Sequence, residues 1–336
     1  MSVPNSPEAA REPGLAEAVA RLCRGELVAL PTETVYGLGA DAANPEAVAR
    51  IFALKGRPAD HPLIVHLAPE APLEAWAREI PEVARRLAAA FWPGPLTMIL
   101  PKTARVPAAV TGGQDTVGIR VPSHPVAQAL LRAFARAGSG AIAAPSANRF
   151  GHVSPTTAQH VRDEFGPDLL VVDGGACDEG LESTIVDLSR GRPVLLRPGT
   201  ITRDRLAAVL GTPPADRDAG APRASGTLTS HYAPRAPLEL VNAAALDARV
   251  REAAAGGALV AVLAHSRPVP REAAFGRQAP GDARAYGHDL YASLRALDAN
   301  GAGLIVVETP PAGPDWEAVR DRLARAAAGA DEEDET

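Results

Sequence analysis

The chain should fold as an α/β protein in two parts. Three observations say so. Over roughly the first 210 residues, short apolar runs alternate with amphipathic helical stretches. From Gly211 to Ser230 the apolar period disappears. It resumes between Pro237 and Ala328 as a smaller repeat of the same alternation. The length, 336 residues, fits about two domains of ~150 residues each.

Taken in order, Leu15–Arg24 reads as a helix and Glu26–Leu30 as a short buried strand. Pro45–Leu54 reads as a helix, with Asn44 as its cap and Pro45 at its first position. Apolar runs at Leu63–Leu67, Leu96–Leu100, Val117–Val121, Ala141–Ala144, Leu169–Val172, Thr184–Leu188 and Val194–Leu196 predict strands. Val83–Phe91, Pro125–Ala137, Thr156–Phe165 and Arg203–Leu210 predict helices. These elements imply a large, twisted, mixed sheet. The stretch 211–230 is rich in Gly, Pro, Thr, Asp and Arg, and is longer than most connections inside a compact domain. Beyond it, Leu238–Val241, Ala258–Leu263 and Leu304–Val307 predict strands. Ala243–Ala255, Asp282–Ala299 and Trp316–Ala327 predict helices, giving a small parallel sheet of Rossmann-like type.

Composition removes several classes. Charged residues make up 22% and the net charge is −6, which argues against a protein that coats nucleic acid. Two cysteines, Cys23 and Cys177, offer no ligand spacing for zinc and no disulfide framework. The polar, proline-bearing stretch Met1–Gly14 does not read as a signal peptide. Without an apolar run of ~18 residues nothing is expected to span a membrane, and the expected compartment is the cytoplasm. Asp331–Glu335 reads as a solvated tail.

The densest chemistry lies in Pro31-Thr-Glu-Thr-Val-Tyr-Gly-Leu-Gly-Ala-Asp-Ala42 and Lys55-Gly-Arg-Pro58. Gly37, Gly39 and Ala42 trace the outline of a dinucleotide fingerprint, but six residues separate Leu30 from Gly37, too many for its tight turn. The glycines read instead as a special backbone turn. Lys55 is one of only two lysines among 34 basic residues. With Arg57 it could complement a helix C-terminus or clamp a polyphosphate. Trp92-Pro-Gly-Pro-Leu-Thr97 reads as a rigid corner. Arg120 sits inside an apolar strand and needs a carboxylate, either a ligand's or an internal Asp or Glu. Ser146, Asn148 and Thr156, then Glu182-Ser-Thr-Ile-Val186, then Arg197, place polar groups at further strand ends, where ligands gather in open α/β sheets. Neither a GxxxxGK[ST] loop nor a GxSxG elbow occurs.

Those segments, with Pro62-Leu-Ile-Val-His66, Gly118-Ile-Arg-Val-Pro122, Pro145-Ser-Ala-Asn148 and Leu196-Arg-Pro-Gly199, resemble in order the threonylcarbamoyl-AMP synthase (YrdC-type) family. His231-Tyr-Ala-Pro234 and the second α/β unit resemble its long, two-domain form. The resemblance implies a YrdC-like catalytic domain over 12–210, a linker or lid over 211–236 and a C-terminal domain over 237–330. It implies synthesis of threonylcarbamoyl-AMP and pyrophosphate from L-threonine, bicarbonate and ATP with Mg²⁺. The product would serve modification of the adenosine beside the tRNA anticodon, with partner proteins performing the transfer to tRNA.

Carried over by motif, Thr34, His66, Arg120, Ser146 and Ser183 look like the threonine pocket. Arg57, His61, Thr116, Asn148, Thr156, Arg197, His231 and Tyr232 look like ATP contacts, and Lys55 like a phosphate or carbamate contact. Lys55 and Arg57 are the expected catalytic cations; no protein metal ligand is expected. Two positions depart from the pattern. His61 stands where the family often has Asn, and Ala224–Ser230 replaces a stretch that carries Lys and Tyr. A non-catalytic RNA-binding module is the alternative of a different class. The acidic balance and the lack of aromatic stacking motifs speak against it. A hydrogenase-maturation carbamoyl transferase would need zinc-finger cysteines that this chain lacks.

Overall fold

The computed structural model describes residues 14–228 and 230–331. All but the last residue of the N-terminal stretch 1–14, and all but the first of the acidic run 331–335, lie outside them. Among the described residues, fourteen strands and ten α-helices divide into two layered units. The first holds β1 (Val28–Leu30), β2 (Gly37–Asp41), β3 (Ile64–Leu67), β4 (Leu96–Pro101), β5 (Thr116–Arg120), β6 (Ala141–Ala143), β7 (Leu170–Val171), β8 (Thr184–Asp187), β9 (Val194–Arg197) and β10 (Ala215–Asp216). They form one mixed sheet in the order β10-β9-β8-β4-β5-β3-β6-β2-β1-β7. Its helices are α1 (Leu15–Cys23), α2 (Pro45–Lys55), α3 (Glu82–Phe91), α4 (Ala108–Thr111), α5 (Pro125–Ala137), α6 (Ala158–Phe165) and α7 (Arg203–Leu210).

Local chemistry explains both ends of α2, whose C-terminal end leads to the site. Asn44 accepts hydrogen bonds from the backbone of Glu46 and Ala47, and Pro45 follows at the first turn. Gly56, with φ of 65°, closes the helix in the left-handed region and turns the chain toward Arg57.

The strand β2 is a correction. Gly37 and Gly39 do not make a turn; they lie in extended backbone, β2 pairing antiparallel with both β1 and β6. The sequence hid this strand because glycine is depleted in strands and supplies no apolar run. Packing supplies the reason for Gly39. A Cβ there would fall 2.8 Å from both Ile142 and Leu30 side chains.

The second unit holds β11 (Leu238–Val241), β12 (Val260–Ala264), β13 (Phe275–Gln278) and β14 (Leu304–Glu308), all parallel in the order β11-β14-β12-β13. Helices α8 (Leu246–Ala255), α9 (Ala283–Asp298) and α10 (Glu317–Asp331) cover it. The sequence yields three of these strands. The fourth, β13, is a largely exposed edge with no apolar face to betray it.

The two units share a core. Val35, Val153 and Leu181 of the first pack with Tyr286, Leu290 and Val319 of the second. Gly180 has φ of 72°, and a Cβ there would lie 2.3 Å from the His288 carbonyl of α9. The segment between the units adds β10 to the edge of the first sheet, then crosses its strand ends to reach Tyr232.

Replacing Gly39 by Val should destabilise the protein by about 1–3 kcal/mol through overpacking. Urea denaturation checks it; an unchanged midpoint would show that the strand has room for a side chain.

Candidate active site

The strand ends of the first sheet and the crossing segment enclose one cavity. Thr34, Arg57, His66, Arg120, Ser146, Ser183, Arg197, His231 and Tyr232 all line it. Residues assigned by motif from five separate lips therefore meet in space. The cavity is about 40 Å³, room for a few waters at roughly 10–15 Å³ each by this measure. Ser225, Gly226, His231 and Tyr232 of the crossing segment form part of its wall.

Arg120 is buried at the end of β5, and its guanidinium lies 2.8 Å from Glu33. The internal carboxylate that the strand required is thus present. The contact is not a directed hydrogen bond: Arg120 Nε and Nη2 and Glu33 Oε1 have no hydrogen-bond partner among the described residues. Glu33 spends its other oxygen on the Ser123 amide at 3.1 Å. Arg120 therefore keeps donor capacity facing the cavity it lines. His66 follows on the neighbouring strand, paired in register with Arg120. Burial first, and Arg120 second, push its imidazole down to about 3. It is neutral at neutral pH.

Hydroxyls fill the space between. Thr32 and Thr34 share a 2.8 Å hydrogen bond, and the Thr32 hydroxyl donates to the Val35 carbonyl at 2.6 Å. That local turn fixes the Thr34 side chain. Ser183 meets Thr97 at 2.7 Å. Thr97, the last residue of the expected rigid corner, is a site residue that its motif did not single out.

Arg57 and Arg197 meet the crossing segment. Arg197 donates to the Ser183 carbonyl at 2.9 Å and to the Ser225 carbonyl at 3.0 Å. Arg57 donates to the Pro62 carbonyl at 3.0 Å and the Ser225 hydroxyl at 3.3 Å. Both are buried, and among the described residues neither makes a salt bridge, although the nearby Glu182 carboxylate acts on Arg197 through its field. Burial pushes Arg57 down to about 10, Tyr232 opposing and Arg197 adding to it. An entering anion would relieve that cost.

Lys55 stands apart. Its ammonium donates to the Ser146 carbonyl at 2.6 Å and to the Asn148 carbonyl, and it does not line the cavity. Burial, then Arg57, hold its pKa well below the ordinary lysine value. In this state it braces the Ser146–Asn148 loop. Asn148 and Thr156 are buried outside the cavity lining; the Asn148 amide donates to the Arg149 and His152 carbonyls. Thr116 lines a smaller hollow beside Ser225. His61 is partly exposed and packs edge-on against Phe150, which in turn meets His231.

His231 is also neutral, pushed down to about 3 by burial, with Glu182 opposing and Arg57 and Lys55 adding to it. Tyr232 is fully enclosed, has φ of 66°, and its hydroxyl has no partner among the described residues. A Cβ at Gly226 would fall 2.0 Å from that hydroxyl, so only glycine fits there. Among the described residues no three His, Cys, Asp or Glu side chains gather to hold a metal ion, and no helix is long and apolar enough to cross a membrane.

A partly enclosed cavity lined by three arginines, the Glu182 carboxylate, neutral imidazoles and hydroxyls, with positive charge in excess, defines a protein that handles small anionic substrates. The Sua5/YciO/YrdC family, described as telomere recombination, matches residues 20–199. The family described as threonylcarbamoyl-AMP synthase, C-terminal domain, matches residues 201–328. The threonylcarbamoyl-AMP synthase of Bacillus subtilis is 41% identical over 332 residues, covering 95% of this chain and 94% of that protein. That of Pyrococcus abyssi is 49% identical over 223 residues, 65% of this chain and 64% of that protein. The structure of P. abyssi Sua5 complexed with L-threonine superposes with a TM-score of 0.87 at 37% identity, covering 95% of this chain and 96% of that one. The chain belongs to the threonylcarbamoyl-AMP synthase family, in its two-domain form.

The buried imidazoles set a pH dependence. Unfolded histidine binds a proton below about 6.5, whereas His66 and His231 refuse one down to about 3. Their stability contribution is full above pH 6.5 and is lost as pH falls, by up to ~1.4 kcal/mol per pH unit for each. Urea unfolding at about pH 7 and pH 5 should show the fall; equal free energies would contradict neutral buried rings.

Proposed function

We infer that the chain makes threonylcarbamoyl-AMP and pyrophosphate from L-threonine, bicarbonate or CO₂, and ATP. One observation carries the reading. A single cavity brings Arg120, suited to a carboxylate, together with Arg57 and Arg197, suited to phosphates. The threonine-bound relative and the similarity over the whole chain support it.

In this reading Arg120 takes the threonine carboxylate bidentately, held from behind by Glu33. Thr34, Ser146 and Ser183 surround the amino acid. The neutral ring of His66 adds no positive charge beside the substrate amine, which must be unprotonated to attack. The amine forms a C–N bond to the carbon of CO₂ and gives up a proton; with bicarbonate a C–O bond breaks as well, and that oxygen leaves as water with the proton. A carbamate oxygen then bonds to the α-phosphorus as the bond from that phosphorus to the α,β-bridging oxygen breaks, and pyrophosphate leaves. Arg57 and Arg197 offset the charge that builds there; positioning and charge stabilisation do most of the work.

Mg²⁺ belongs to the substrate in this scheme, arriving chelated by ATP oxygens and water. Lys55 would turn from its two carbonyls toward phosphate or carbamate only if the Ser146–Asn148 loop gives way. His61 and Phe150 stand at the outer edge, placed to meet the nucleoside. A cavity of about 40 Å³ cannot admit ATP, so the crossing segment must open and then close again. Closing keeps water from a carbamate that decomposes in it. The product would pass to partner proteins that modify tRNA beside the anticodon in the cytoplasm.

Pyrophosphate release from Mg-ATP and bicarbonate should require L-threonine. Release without threonine, or none with it, would overturn the reading. Arg120→Ala should raise the threonine KM by about tenfold to a hundredfold, the weight of a charged hydrogen-bonded contact. An equal loss for ATP would contradict the role given to Arg120.

A further inference from the structure

The second domain fills with its own carboxylate the place where its fold would put a ligand. In an open parallel sheet, anions settle at the carboxyl ends of the strands. Here the backbone amides of His265, Ser266 and Arg267, at the end of β12, close on the Glu308 carboxylate at 2.7–3.3 Å. The chain's own carboxylate fills the nest. The domain's strongest polar contacts point elsewhere, into the first domain.

They converge on Glu182, which is buried. Tyr291 of α9 donates to it at 2.9 Å, and Arg322 of α10 at 2.7 Å. Ser154 of the first domain donates at 2.6 Å. Arg322 is itself fully enclosed and also donates to the Pro198 carbonyl at 3.0 Å. Glu182 lines the cavity itself beside Ser183, and Pro198 follows the lining residue Arg197, so both contacts grip the cavity rim. The same two side chains hold Tyr232. Tyr291 stacks on its ring with centroids 5.7 Å apart, and the Arg322 guanidinium lies 5.2 Å from the ring centre. The His231 amide donates to the Arg325 carbonyl at 3.2 Å. A tyrosine at positive φ persists only where its surroundings hold it.

We propose that Arg322 and Tyr291 are positioning residues for the site. They fix the Ser183–Arg197 rim through Glu182 and keep the crossing segment shut through Tyr232. Docking of the second domain and closure of the cavity are then one event. This rests on the functional reading above only for its consequence on turnover; the coupling itself is structural.

The test uses the full chain and two variants. Tyr291→Phe removes one hydroxyl and keeps the ring stack. Glu182→Gln/Arg322→Met removes both buried charges at similar volume, avoiding an orphaned ion. Hydrogen exchange between Ser225 and Tyr232 should run about tenfold faster in the double variant and faster in Tyr291→Phe, with β12 and β14 still protected. In both, the threonine KM should rise more than kcat falls. Unchanged exchange across that segment in both variants would overturn the proposal. Exchange needs no turnover, so it judges the proposal even if threonine-dependent pyrophosphate release is absent and the functional reading fails.

Discussion

One buried carboxylate, Glu182, sets the geometry of this molecule. Taking a charge out of water costs several kcal/mol unless partners replace the hydration. Ser154, Tyr291 and Arg322 do so, and they come from both domains. Burial would raise the Glu182 pKa, but Arg322, Arg197 and the hydrogen bonds overcome that and bring it down to about 2. The group stays charged, so the domains cannot separate without leaving an ion in a hollow. The contact at Gly180 and the shared core around Leu181 reinforce the same junction.

The cavity beside it is electrostatically unfinished. Among the described residues Arg57 and Arg197 make no salt bridge, Glu182 reaches Arg197 only through its field, and Arg120 has a carboxylate that leaves donors unspent. His66 and His231 contribute no charge at neutral pH. A site of this kind costs stability when empty and recovers it with anionic substrates. The imidazoles also avoid competing with the substrate amine for protons. Closure by Ser225, Gly226, His231 and Tyr232 lowers the local dielectric and strengthens each of these interactions.

Much of this was readable from residues in order. The strand lips, Asn44 and Pro45 at the start of α2, and the isolated cation Arg120 each carry a local signal. Their meeting in one cavity follows from the sheet order, which local patterns do not encode. Several things escaped, three of them instructive. The strand β2 is built from glycines, whose role is to let Leu30 and Ile142 close in. Arg322 and Tyr291 sit in ordinary amphipathic helices, and only burial across the domain junction marks them. Lys55, so conspicuous among the arginines, spends its ammonium on two carbonyls and braces a loop rather than facing the cavity.

The decisive experiment follows the carbon. The protein is incubated with Mg-ATP, L-threonine and ¹³C-bicarbonate, and the nucleotides are analysed by mass spectrometry. The expected result is an adenylate carrying one threonine and one ¹³C atom, formed in step with pyrophosphate. AMP or an adenylate without the label would contradict a cavity that joins the amino acid, the carbon and the α-phosphate.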